Sequence, residues 1–132
     1  MSKKTYIKLK TEISNLRGRA LEKRINTYLK GNKKIFCKGI NKRRIFIEEY
    51  LKITLGRNDG HNRMRAFFPS IELIKNSKVI TYTKKIGNNL FSYEFRGQTP
   101  NGSLVGVHIK ECNDGKDKIL KLISNFWDNK KI

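Results

Sequence analysis

The sequence predicts an α+β fold: two or three N-terminal helices followed by a four-stranded antiparallel β-sheet meander. Two observations predict it. Up to about residue 76 the apolar side chains recur with a period near 3.6, and after Ser77 the period drops to 2. Turn-forming clusters then punctuate the second half: Gly87-Asn88-Asn89, the GQTPNG run at 97–102, and Asn113-Asp114-Gly115. At 132 residues the chain is expected to form a single domain, with a basic helical part over 1–60 and a helix plus antiparallel sheet over 61–127.

Each element has its own signal. Residues 11–30 read as the first helix, with Ile13, Leu16, Ala20, Leu21, Ile25, Tyr28 and Leu29 at helical spacing and Gly31-Asn32 as the stop. Its opposite face carries Arg17, Arg19, Lys23, Arg24 and Lys30. Ile35-Phe36-Cys37 reads equally as strand or loop. Lys42-Arg43-Arg44 leads into Ile45, Ile47, Tyr50, Leu51 and Leu55, a second helix ended by Gly56. A third helix covers roughly 61–76 through Met64, Phe67, Phe68, Ile71, Leu73 and Ile74; Pro69 inside it implies a kink or a start near the proline. Strands are expected at 78–85, 90–96, 103–112 and near 118–127. In the third of these, Val105, Val107 and Ile109 alternate with Gly106, His108 and Lys110, so the valines should face the core and His108 the other side.

The charge is the strongest functional signal. Thirty Lys and Arg stand against 11 Asp and Glu, a net charge of +19, with +14 in residues 1–65 and +5 in 66–132. An excess of that size repels itself unless a polyanion is near, which points to nucleic acid. An anionic membrane surface is the competing partner. No run of about 18 apolar residues is present to span a membrane, and the charged start MSKKTYIKLK shows no secretory signal. A cytoplasmic location is therefore expected, with Cys37 and Cys112 as reduced thiols.

Candidate chemistry is limited. Histidine exchanges protons most readily near neutral pH, and there are two: His61, opening the third helix beside Arg63 and Arg65, and His108, mid-strand beside Lys110. The plain alternative for His61 is a solvent-exposed histidine in a basic loop, and for His108 an ordinary solvated strand face, which its position favours. Acidic clusters that would hold magnesium are missing, and Gly97 to Gly102 lacks the Lys-Ser or Lys-Thr of a phosphate loop. No metal or other cofactor is expected. Cleaving RNA suits such a set, because the 2′-hydroxyl is a built-in nucleophile and the protein need only supply a base, an acid and a cation.

The run GHNRMRAFFPSIELIKNSKVI at 60–80, the strands after it and the closing ILKLISNFW resemble the barnase–EndoU–colicin–RelE group of small nuclease folds, over about residues 60–127. That resemblance implies metal-independent RNA cleavage and an acidic antitoxin or immunity protein as partner. It places a His or Arg on the helix, matched by His61 and Arg65, and a Ser on the last strand, matched by Ser124 in Ile123-Ser124-Asn125-Phe126. The expected catalytic set is His61, Arg65, His108, Lys110 and Ser124. Phosphate contacts are expected from Arg17, Arg19, Lys23, Arg24, Lys42, Arg43, Arg44, Arg63, Lys84 and Lys85. The rival readings are a non-catalytic nucleic-acid-binding module or phage-type inhibitor, and a ribosome-associated structural protein.

Overall fold

A computed structural model describes residues 6–40, 43–56, 60–77, 82–85, 90–115 and 117–128. Strands and helices interleave along the chain. β1 (Ile7–Lys8) precedes α1 (Gly18–Leu29); β2 (Lys34–Cys37), a 3-10 turn (Lys38–Ile40) and β3 (Arg43–Phe46) follow. Next come α2 (Glu48–Leu55), α3 (Gly60–Arg65) and α4 (Phe67–Asn76), then β4 (Tyr82–Lys85), β5 (Phe91–Gln98), β6 (Leu104–Asp114) and β7 (Asp117–Asp128).

All seven strands join one mixed sheet, ordered β1-β5-β6-β7-β3-β2, with β4 pairing β5 on the same edge as β1. The sheet curves into a half-barrel with the four helices. This corrects the expected helices-then-meander arrangement. Strands from the basic first half close both sides of the sheet, and two pairings are parallel: β1 with β5 and β3 with β7.

Local chemistry explains where the elements depart from expectation. The first helix starts seven residues later than its apolar spacing suggests. Residues ahead of it are extended, because the Glu72 carboxylate accepts the amides of Lys10 and Thr11, both at 2.8 Å. Gly18, at φ +59, then turns the chain into α1. Burial works to raise the Glu72 pKa, but the Thr11 side chain and the two amides outweigh it and hold the carboxyl below its usual value. Ile45 proves to belong to a strand rather than a helix, because it pairs with Leu120 of β7. The third helix is two: Ala66 breaks it, and Pro69 falls in the first turn of α4, where no amide partner is required.

The helices pack against the sheet face that carries Phe95, Val105, Val107, Ile109, Leu120 and Leu122. Leu21, Ile25 and Leu29 of α1 and Leu73 and Ile74 of α4 complete that core. Val105, Val107 and Ile109 are fully buried, as their alternation predicts. Side chains on the other face of β2, β3, β6 and β7 remain wholly or partly accessible, and these carry the candidate site. No described helix is long and apolar enough to cross a membrane.

Candidate catalytic row and nucleic-acid interface

The register of β5, β6 and β7 sets three polar side chains in one row. His108 stands opposite Glu94 on one side and Ser124 on the other, on the face away from the core. Directly opposed side chains in a sheet have Cβ atoms about 5 Å apart, so the imidazole lies within reach of both. A β-bulge follows immediately. Ser124 faces His108 while Leu122 faces Ile109, which leaves Ile123 as the extra residue. Without that insertion, Ser124 and Leu122 could not stand on opposite faces of β7.

The neighbouring rows give the site its charge and shape. Two residues along β6, Lys110 pairs with Lys121 of β7 and with Ser92 of β5. Lys121 in turn pairs with Phe46 of β3, and Phe46 with Lys34 of β2. In the other direction Gly106 stands between Arg96 and Phe126. The Phe126 ring lies across this glycine: a Cβ there would fall 2.0 Å from it. Arg96 Nε donates to Glu94 Oε1 at 2.7 Å, and that bond is the main reason its guanidinium pKa is raised.

The expected catalytic set is therefore divided. His108, Lys110 and Ser124 share one face. Arg65 stands on the helix side, where its Nε donates to the Ser14 carbonyl at 2.9 Å and its guanidinium lies 4.8 Å from the centre of the Trp127 ring. Burial, then the nearby Arg17 charge, lowers its pKa. Arg65 thus ties the 11–17 segment to β7, on the side of the sheet away from His108. His61 belongs to α3, but its side chain lies outside the described residues, as do those of Arg43, Lys84 and Lys85 and all of Lys42.

The other expected phosphate contacts scatter over two surfaces. Arg17 and Arg19, at the start of α1, and Lys23 and Arg24 within it are exposed, with Arg24 set 5.3 Å from the Phe68 ring centre. Arg44, on the sheet, lies 5.0 Å from the ring centre of Phe36. Arg63 is half-buried and directs Nη1 toward the Asn125 carbonyl at 3.5 Å. Among the described residues no three His, Cys, Asp or Glu side chains gather to hold a metal. Cys37 is buried, which raises its thiol pKa, and Cys112 is unpaired.

Sequence reasoning missed the residue that anchors the row. Asn125 is 1% exposed and joins three helices to β7. Its Nδ2 donates to the Arg63 carbonyl at 3.0 Å and to Ser70 Oγ at 3.2 Å, and its Oδ1 accepts from the Tyr50 hydroxyl. The Tyr50 oxygen accepts the Asn125 amide in return, at 3.1 Å. Ser124 and Phe126, its chain neighbours, are held in place by this network. Glu94 and Arg96 were also missed, although their spacing of two on a strand is a readable signal.

No protein-family model, curated protein or solved structure matches the chain.

Proposed function

We propose that this protein acts on nucleic acid, and that it cleaves RNA without a metal ion. The observation that carries the reading is the register that sets His108 opposite Ser124 on an accessible face, with Lys110 and Lys121 in the next row. His108 takes the proton of a 2′-hydroxyl as its oxygen attacks the adjacent phosphorus. The bond from phosphorus to the 5′-oxygen breaks, that oxygen receives a proton from water, and a 2′,3′-cyclic phosphate remains. Lys110 steadies the charge on the phosphoryl oxygens, and Ser124 positions the substrate by hydrogen bonding. The net charge of +19 and the small-nuclease resemblance of residues 60–127 support the same reading. An acidic antitoxin or immunity protein is the inhibitor such a surface would take.

One observation favours a second reading, a non-catalytic nucleic-acid-binding module: Arg65 is held by Ser14 and Trp127 rather than placed beside His108. Incubation with total RNA in chelator separates the two. Cleavage predicts discrete fragments with cyclic phosphate ends, and His108→Ala should slow their release by about 10²–10⁴-fold. Intact RNA with the parent protein would leave the binding module; equal cleavage by His108→Ala would remove His108 from the mechanism.

A further inference from the structure

The basic row extends beyond the catalytic candidates to the far edge of the sheet. Lys34, Phe46, Lys121 and Lys110 stand in continuous register across β2, β3, β7 and β6. Three steps between strands span about 14 Å, and His108 lies about 7 Å further along β6 from Lys110. Lys121 also bonds Glu49 at 3.0 Å, and Lys34 lies 4.6 Å from the Phe46 ring centre. The two ends of this surface carry accessible rings. Phe36, on edge strand β2, is 54% exposed although Arg44 covers part of it; Phe126, beyond the His108 row, is 38% exposed. Around Phe36 a groove of about 540 Å³ gathers Lys30, Lys33, Lys34, Arg44 and Lys75, so its charged lining is entirely cationic.

Exposed rings and cations on one surface fit a particular ligand. A duplex keeps its bases stacked on one another and offers the surface only phosphates and groove edges. An unpaired strand offers both a charged backbone and free base faces. We infer that a single-stranded nucleic acid crosses this face along the Lys34–Phe46–Lys121–Lys110 row, with one base stacked on Phe36 at the edge strand and another on Phe126 beyond His108. The inference rests on the nucleic-acid reading above and not on cleavage. Strands β2 and β3 are then the binding arm, and they deliver the strand to the His108 row.

Fluorescence anisotropy with a labelled 2′-O-methyl oligouridylate of about 12 nucleotides tests this, because that probe cannot be cleaved through its 2′-oxygen. The parent should bind it more tightly than a duplex of equal length. Phe36→Ala should weaken binding by about 5- to 150-fold, the range for losing one base–ring stack, while Phe36→Tyr should retain it. Lys34→Ala and Lys110→Ala should each flatten the log–log salt dependence by about 0.7. Circular dichroism verifies that the variants are folded, which the exposure of Phe36 favours. Equal binding by Phe36→Ala, tighter binding of the duplex, or displacement by polyglutamate at equal charge concentration would each overturn the inference. RNA cleavage assayed separately distinguishes the two readings. Lost binding in Phe36→Ala with no cleavage by the parent upholds the platform and removes the enzyme; cleavage with indifference to Phe36 does the reverse.

Discussion

Replacing Asn125 with alanine tests how the sheet and the helices are joined. The substitution removes the bonds to the Arg63 carbonyl and Ser70 Oγ and the acceptor of the Tyr50 hydroxyl. The first two losses are softened. Ser70 Oγ still donates to the Ala66 carbonyl at 2.7 Å, and the Arg63 carbonyl still accepts the Ala66 amide at 3.1 Å. Each should cost about 0.5–1 kcal/mol. Tyr50 is 5% exposed, and its hydroxyl proton is left with no acceptor, a loss of about 1–3 kcal/mol. The total is about 3 kcal/mol, which for a chain of this length lowers Tm by about 10 °C. Thermal melts followed by circular dichroism provide the measurement. Tyr50→Phe should destabilise by a comparable amount, because it leaves the buried Asn125 amide without its acceptor and Asn125 Oδ1 without its donor. The double variant should fall short of the sum because the two side chains share one network. A melt of Asn125→Ala within about 2 °C of the parent would refute the reasoning, since it would mean that water replaces the asparagine without penalty.

Three further outcomes follow from contacts elsewhere in the fold. A Cβ at Gly39 would meet the buried Phe95 ring at 2.8 Å and the Ser77 carbonyl at 3.0 Å, so Gly39→Ala should cost about 1–3 kcal/mol by overpacking. Gly106→Ala meets one edge of the half-exposed Phe126 ring, which can swing aside toward solvent, and paired melts should show a smaller loss than Gly39→Ala. Glu72 predicts a pH dependence. Its folded pKa is lowered, so its contribution is present above the unfolded carboxyl value of about 4.3 and is lost as pH falls through the folded one. The protection of the Lys10 and Thr11 amides, their exchange relative to the intrinsic rate at each pH, should therefore fall on acidification, and Glu72→Gln should abolish that dependence; protection that persists unchanged at low pH would contradict it.

The parts of the fold written in local pattern were legible, and those made by distant pairing were not. Val105, Val107 and Ile109 alternate with small or polar residues, and the strand and its buried face follow from that alone. Ile45, Ile47, Tyr50 and Leu51 satisfy a period of 2 at their start and of 3.6 at their end; Leu120, far along the chain, decides for a strand at Ile45. Ile13 and Leu16 sit at helical spacing, yet Glu72 removes their segment from the helix by taking its amides. At the site, His108 and Lys110 were legible as one strand face. Their neighbour Ser124 was named only through a motif, since a bulge at Ile123 sets its register and no local signal marks the bulge. Arg65 shows the opposite case: its charge suggested a phosphate, but Trp127 and Ser14 lie nearer in space than any sequence pattern indicates.

The strand that arrives last in the described sequence sits in the interior of the sheet. β7 separates β6 from β3, so the β2–β3 hairpin has no neighbouring strand until β7 has formed. The Tyr50–Asn125 bonds that fasten this junction close a loop of 75 residues. Contacts of such sequence separation are slow to form, because loop entropy is lost before packing compensates it. During synthesis the hairpin and its exposed Phe36 would wait beside an incomplete sheet, with an open strand edge prone to pair with other chains. The folding rate of this protein should thus be set by the docking of β7, and a nascent chain interrupted before it would present a basic, aromatic hairpin with no fold behind it.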